Sequence, residues 1–345
     1  MNRIQLPGVI FEFTTKCNLK CRYCYNYWKK ETDYIEDIEK CNPKKTLKQW
    51  FKRVKTDRVT FSGGEPTTNF DELLDCIMYL KRRNKKVTII TNATLLSKEK
   101  LELLAMIKVD LFEITINSYD KNIHEMLNGV KDSFEKSVTA IKYLLSRKCD
   151  VVVPVVITKY NVLEIDKTLD YIYNLGIKRI MVNRYNIGGN GCNDVTEILP
   201  TLEELKTAYK KCNDFAIEKD IKLHSLVCCP ICAINPDDYS NIVFSNCACK
   251  NKNRKYTLTR DGNVRYCNHS PSILGNIYNE TMKNIISSEK LNQWAQIEPE
   301  FCTDCSKKEL CHYGCRAASE QMGYGLSKED PIIDMYGIKH GFPTE

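Results

Sequence analysis

From residue 8 to about residue 225, short β-branched runs alternate with longer stretches whose apolar residues recur every three or four positions. The runs at 9–13, 58–61, 86–90, 111–116, 151–156 and 179–182 read as strands. The segments 70–83, 98–107, 134–146, 163–174 and 202–218 read as amphipathic helices. Thr201 followed by Glu204 forms a capping box at the start of the last of these. Strand-then-helix repeats predict parallel strands joined by right-handed crossovers, an α/β fold. Six such units fit a partial barrel, in which chemistry gathers at the C-terminal ends of the strands. After about residue 225 the periodicity breaks. A hairpin is expected at 256–259 and 264–266, turned by Arg260-Asp261-Gly262-Asn263, and 283–297 reads as one helix or two short ones. No repeat or low-complexity linker separates the parts, so two closely packed domains are expected, 1–225 and 226–345.

Composition sharpens this picture at one point, cysteine. The chain has 345 residues, 43% of them hydrophobic, enough for one large domain and a smaller one. It holds no 18-residue apolar run, so no membrane span is expected, and no secretory signal opens it, which points to the cytoplasm. Eighteen cysteines in a reducing compartment argue for metal binding over disulfides. Ten of them fall between Cys228 and Cys315, whereas Cys41, Cys76, Cys149, Cys192 and Cys212 read as small buried apolar residues. The net charge of +7 comes from dispersed runs such as Lys44-Lys45 and Lys81-Arg82-Arg83, which read as solvated faces. A basic excess favours an acidic peptide or nucleic acid, but no aromatic residues interleave with it, which argues against nucleic acid.

The strongest chemical signal is Thr15-Lys-Cys-Asn-Leu-Lys-Cys-Arg-Tyr-Cys-Tyr25. Cys17, Cys21 and Cys24 put three thiolates on one tight loop, leaving one iron of a 4Fe–4S cube open. A closed zinc site wants four ligands, usually in paired C-x2-C units. Three unrelated buried cysteines would be the bland alternative. Ser62-Gly63-Gly64-Glu65-Pro66 follows directly after the apolar run at 58–61. In this order the two motifs resemble the radical S-adenosylmethionine (SAM) enzymes. The resemblance implies a (β/α)6 barrel open on one side. It also implies SAM chelated to the open iron and, on reduction, a 5′-deoxyadenosyl radical. By position, Gly63, Gly64 and Glu65, with Ser62 and Pro66, would lie near the methionine group, and Tyr23 near the adenine. Asn92 in Thr91-Asn92-Ala93 stands where the family has Thr-Asn-Gly, near the nucleoside. Thr115 and Asn117 stand where many relatives have Ser-Leu-Asp-Gly, so Asn117 replaces a carboxylate, and Asn128-Gly129 replaces Arg-Gly. Taken singly, Asn92 reads equally well as a helix cap, Thr115 as a strand residue and the glycines as a turn. In register with the cysteine loop, those readings lose together.

Cys249, Gly262 and Cys267, then Cys302, Cys305, Cys311 and Cys315, have spacings similar to those of the SPASM domain, which carries two auxiliary 4Fe–4S clusters. The resemblance implies that Cys249, Cys267 and Cys315 bind the first auxiliary cluster. Its fourth ligand would come from Cys228, Cys229, Cys232 or Cys247, with Cys232 favoured. Cys302, Cys305 and Cys311 would bind the second. Relatives supply a last cysteine after an Asp-Pro, but here Asp330-Pro331 is followed by none, leaving Asp330, Asp334 or an open iron. The alternative is zinc held by the latter three cysteines with His312. His312 and His269 read as residues near the sites rather than ligands.

Auxiliary clusters suit a net oxidation, with a general base where the substrate also loses a proton. Asn268 stands where the sulfatase-maturing branch has an Asp, which argues against formylglycine formation. Cys17 comes almost at once, so no leader-peptide-binding domain is expected before the barrel. The leading reading is a radical SAM/SPASM enzyme acting on a peptide or protein side chain. It would form a thioether or carbon–carbon cross-link, or a dehydrogenated product, with a flavodoxin- or ferredoxin-type electron donor. The alternatives are a small-molecule dehydrogenase, decarboxylase or epimerase of a natural-product or tetrapyrrole pathway, and an iron–sulfur electron-transfer protein. The Ser62–Pro66 motif speaks against the last of these.

Overall fold

The computed structural model describes residues 3–342, the side chain of Cys249 apart. Eight strands run parallel: Val9–Thr14 (β1), Arg58–Gly63 (β2), Lys86–Ile90 (β3), Leu111–Glu113 (β4), Val151–Ile157 (β5), Ile180–Arg184 (β6), Leu223–Ser225 (β7) and Ile242–Phe244 (β8). Tyr256–Thr259 (β9) adds to the free edge of β1, again parallel. Asn263–Arg265 (β10) and Ile273–Asn276 (β11) continue antiparallel. The order across the eleven-stranded sheet is β8-β7-β6-β5-β4-β3-β2-β1-β9-β10-β11.

Crossovers run through helices Pro43–Arg53 (α1), Phe70–Lys81 (α2), Lys98–Met106 (α3), Lys121–Asn128 (α4), Ser133–Ser146 (α5), Ile165–Asn174 (α6) and Leu202–Glu218 (α7). The crossover helices cover the outer face of the sheet, and the strand residues pointing that way are apolar and buried. In β1, Val9, Phe11 and Phe13 are fully buried, and Phe11 and Phe13 meet Phe61 edge-on at 5.9 Å each. Ile10, in the opposite phase, lines the cavity inside the sheet.

All six expected strands and all five expected helices are present, with the Thr201–Glu204 capping box formed. The expected partial barrel is the observed architecture. Two crossover helices, α1 and α4, lie where none was expected. Their caps were nonetheless in the sequence: Asn42 accepts from Lys45 N with Pro43 next, and Asp120 accepts from Asn122 N. In α1 the dense lysines obscured a narrow buried stripe of Pro43, Thr46, Leu47 and Trp50. The parallel sheet also continues beyond residue 225 through β7's pairing with β8, so barrel and cysteine-rich segment interleave. Among the described residues, no helix is long and apolar enough to cross a membrane.

Two buried ion pairs fasten the C-terminal segment to the barrel. Arg265 on β10 meets Glu12 on β1, donates to Ser270 O (2.6 Å), and lies over the Tyr27 ring at 4.8 Å. Arg184 at the end of β6 meets Asp330, which also accepts from Cys315 N (2.7 Å) and Ile332 N (3.2 Å). Breaking such a pair strands a buried charge. Arg265→Met is therefore expected to lower unfolding stability by about 3–5 kcal/mol in urea titrations. Glu12→Gln/Arg265→Met together should recover a substantial part of that loss, because neither charge is then left alone.

Candidate active site

The turn after β2 and the loop after β1 are built as one unit. Gly64 N donates to Thr14 O and Glu65 N to Lys16 O, both at 2.7 Å. Gly63 has φ +122°, and a Cβ there would lie 2.1 Å from Thr14 O; at Gly64 it would lie 2.1 Å from Lys16 O. Only glycine permits this approach. Asn26 Nδ2 closes the far side by donating to Gly63 O at 2.8 Å. The cysteine loop is fixed to the end of α4 as well, Lys20 N and Arg22 N donating to Asn128 O and Leu127 O.

Cys17, Cys21 and Cys24 face the end of a cavity of about 780 Å³ that fills the barrel. Burial raises all three thiols, Cys17 to about 12 with Glu65 adding to the effect, so cluster binding must displace protons there. Cys17 Sγ accepts from Leu19 N at 3.4 Å, the kind of amide contact a cluster thiolate receives. Tyr23, Ser62, Gly63, Gly64, Glu65, Asn92 and Thr115 share the lining. Glu65 accepts from Thr67 N, Thr67 Oγ1, Thr91 Oγ1 and Asn92 N at 2.6–3.0 Å. That bridge sets the β2 loop against the β3 loop. Ala93, where the resemblance has glycine, takes φ +60°, a left-handed conformation costly for a residue with a Cβ.

Two expected cofactor contacts lie off the cavity. Asn117 is fully buried, its Oδ1 accepting from Val156 N at 3.1 Å while its Nδ2 is buried without a hydrogen-bond partner among the described residues. Pro66 is buried at the start of a helical turn, Pro66–Asn69, and serves that turn. Asn128 lines the cavity instead and accepts from Tyr23 OH at 2.7 Å.

The far wall of the same cavity carries Cys228, Cys247, Cys267 and Cys315. Cys315 is pushed up by burial, then by Asp330, with Cys267 and Cys247 adding to it, so these three thiols lie together. The Cys249 side chain lies outside the described residues. Cys232 is not beside them, which corrects the expectation that it completes that set. Pro230 and Ile231 turn it into a separate small pocket with Cys302, Cys305 and Cys311, where burial, Cys311 and Cys305 raise its thiol to about 12. Asp330 is consumed by Arg184 and two backbone amides, and Asp334 is exposed, so neither carboxylate fills that corner. His312 donates from Nδ1 to Cys247 O at 2.6 Å. His269 is buried beside Cys315 and held neutral by desolvation, its pKa lowered to about 3.

Two residues at the site escaped sequence reasoning. Lys29, nearly buried in Tyr27-Trp28-Lys29-Lys30, lines the cavity close to Cys17 and Cys24, and nothing in the sequence separates it from Lys30. Glu113 was signalled by a lone charge at an inward position of an apolar strand. Its carboxyl faces the cavity near Tyr25, whose OH accepts from Asn268 Nδ2 at 2.6 Å. Burial raises Glu113 from its ordinary 4.5 to about 7, with Lys255 opposing.

A barrel with three thiols on the β1 loop, a double-glycine turn against that loop and further cysteines across the cavity defines a radical SAM iron–sulfur protein. The Radical SAM superfamily profile matches residues 11–172, and that of the SPASM iron–sulfur cluster-binding domain matches residues 247–307. The chain is thus a member of the radical SAM/SPASM family, with SAM, its 4Fe–4S cluster and auxiliary clusters as cofactors. It is 29% identical over 315 residues to the antilisterial bacteriocin subtilosin biosynthesis protein AlbA of Bacillus subtilis, covering 89% of this chain and 65% of that protein. It is 23% identical over 336 residues to the PqqA peptide cyclase of Gluconobacter oxydans, covering 95% and 90%. Among solved structures, anSMEcpe with bound AdoMet superposes with a TM-score of 0.70 at 18% identity, over 97% of this chain and 95% of that one. Streptococcus suis SuiB bound to its precursor peptide SuiA superposes with a TM-score of 0.71 at 17% identity, over 94% and 75%. At those identities the likeness shows the fold.

Ala93→Gly is expected to raise unfolding stability by about 1 kcal/mol, read in thermal or urea unfolding, since it relieves a left-handed Cβ. For Glu113 the folded state keeps a proton that the unfolded chain has released. Its destabilising contribution is absent below about 4.5 and complete above about 7. Glu113→Gln should therefore match wild type in stability at low pH and exceed it increasingly toward pH 8, by up to about 3 kcal/mol.

Proposed function

We propose that this enzyme catalyses a net oxidative modification of a peptide or protein side chain: a thioether or carbon–carbon cross-link, or a dehydrogenation. One observation carries the reading. A single cavity has the Cys17/Cys21/Cys24 loop at one end and Cys247, Cys267 and Cys315 in its wall. A substrate in that space is within reach of both, so hydrogen removal and electron removal take place in one chamber. The likeness to a bacteriocin biosynthesis protein, AlbA, and to the PqqA peptide cyclase supports a peptide as substrate.

When bound at the open iron, SAM supplies the carbon-centred radical that takes a hydrogen atom from the substrate. The chain's own residues hold and exclude. Gly63 and Gly64 would hold the methionine end through their backbone and Tyr23 and Asn92 would hold the nucleoside, while the Glu65 bridge keeps both loops in place. Glu113 is placed to accept the proton that an oxidised substrate releases. For the auxiliary clusters, the reading assigns Cys247 with Cys249, Cys267 and Cys315, and Cys232 with Cys302, Cys305 and Cys311.

Anaerobic co-expression with short peptides encoded beside the gene, followed by mass spectrometry, tests this. A loss of two hydrogens from one peptide is expected. SAM cleavage with every peptide unchanged in mass would contradict it, and solvent deuterium uptake without mass loss would mean epimerisation. Cys17→Ala should abolish 5′-deoxyadenosine formation. Cys267→Ala is expected to retain that cleavage while losing the two-hydrogen product.

A further inference from the structure

The other end of the cavity has a different character. All the strands around it are parallel, so their N-terminal ends form one rim, opposite the cysteine loop. Six cations line the cavity there: Arg58 at the start of β2, Lys178 and Arg179 just before β6, Lys222 just before β7, and Arg254 and Lys255 just before β9. They come from both sides of the open sheet. Carboxylates do not balance them. Among the described residues, only Arg179 has one within 4 Å, Asp150 at 4.0 Å, and both side chains of that pair are more than half exposed. Lys222 bonds to Ser240 O and Asn241 Oδ1, both neutral. Nε and Nη1 of Arg254 are buried without a hydrogen-bond partner, beside the Tyr256 and Trp294 rings. Among the described residues two carboxylates line the cavity: Glu65 is already filled by its donors, and Glu113 acts on Lys255 alone of the six.

We propose that this rim is a recognition site for an acidic stretch of the peptide substrate, held there while the residue to be modified extends down the lumen toward the cysteine loop. The inference rests on the peptide reading above and names the substrate class that this barrel selects. Unpaired cations at the mouth of an enclosed lumen are costly unless an anionic partner arrives, and they draw such a partner in. β2 spans the distance from rim to site in six residues, Arg58–Gly63. An extended peptide covers the same length in about six residues, so the acidic positions should lie about that far along the chain from the modified one. Among the described residues, no aromatic ring lies against the cations at strand starts β2, β6 and β7, which favours carboxylates over nucleobases.

The test uses the anaerobically reconstituted full chain and fluorescence anisotropy. The probes are a fluorescein-labelled peptide of about a dozen residues carrying glutamates, its glutamine counterpart, and labelled oligothymidylate of similar length. The glutamate peptide is expected to bind at least about tenfold more tightly than the glutamine peptide, and more weakly as salt rises. K178E/R179E/K222E should cost about tenfold or more, whereas K98E/K136E/K142E, the same charge change on outer helices α3 and α5, should stay within about twofold of wild type. Equal binding of the two peptides, an equal loss in the outer-helix variant, or tighter binding of oligothymidylate through the rim would overturn the proposal. SAM cleavage without peptide is read in parallel and should be alike in wild type and the outer-helix variant. If wild type cleaves no SAM, the catalytic reading itself fails, whichever peptide binds.

Discussion

Two backbone hydrogen bonds, Gly64 N to Thr14 O and Glu65 N to Lys16 O, hold the site in register. They join adjacent parallel strands just where both strands end, and they require a turn with no side chain on its inner face. A methyl group at Gly63 or Gly64 would push the two loops apart by ångströms, taking the cysteine loop with it. The Glu65 carboxylate extends the same seam to Thr91 and Asn92 on the next strand. Three consecutive strand ends thus move as one body, which lets three thiols, a double-glycine turn and an asparagine face a common space.

The C-terminal segment is not an appendage. β9 pairs in parallel with β1, and its hairpin carries Arg265 to Glu12 inside the barrel wall. Asp330, from the far end of the chain, is held by Arg184 at the end of β6 and itself holds the backbone of Cys315. Each anchor is a buried charge that is stable only with its partner. The same contacts that fasten the segment therefore position Cys315 and, through the hairpin, Cys267 on the cavity wall. Folding itself thus brings these thiols to the wall of the cavity.

Much of this was legible in the sequence because the signals were local. The strands expected at 9–13 and 151–156, the Thr201 cap and the cysteine spacing each follow from residues near one another. What escaped depended on tertiary packing. Asn117 is buried off the cavity with its Oδ1 on Val156 N, and Cys232 lies past Pro230 in the pocket of Cys302, Cys305 and Cys311. Asp330 offered an oxygen ligand until Arg184, 146 residues away, claimed it. Glu113 and Lys29 carried no motif, and only the folded sheet shows that they line one cavity.

The account stands on three separate sets of thiols in one chain, one of them with an open corner. Iron content with Mössbauer spectroscopy, on reconstituted wild type and on a Cys17/Cys21/Cys24→Ala triple variant, tests this most directly. Three 4Fe–4S clusters predict about 12 iron per wild-type chain and about 8 in the variant. About 4 iron in wild type, or almost none in the variant, would contradict the account.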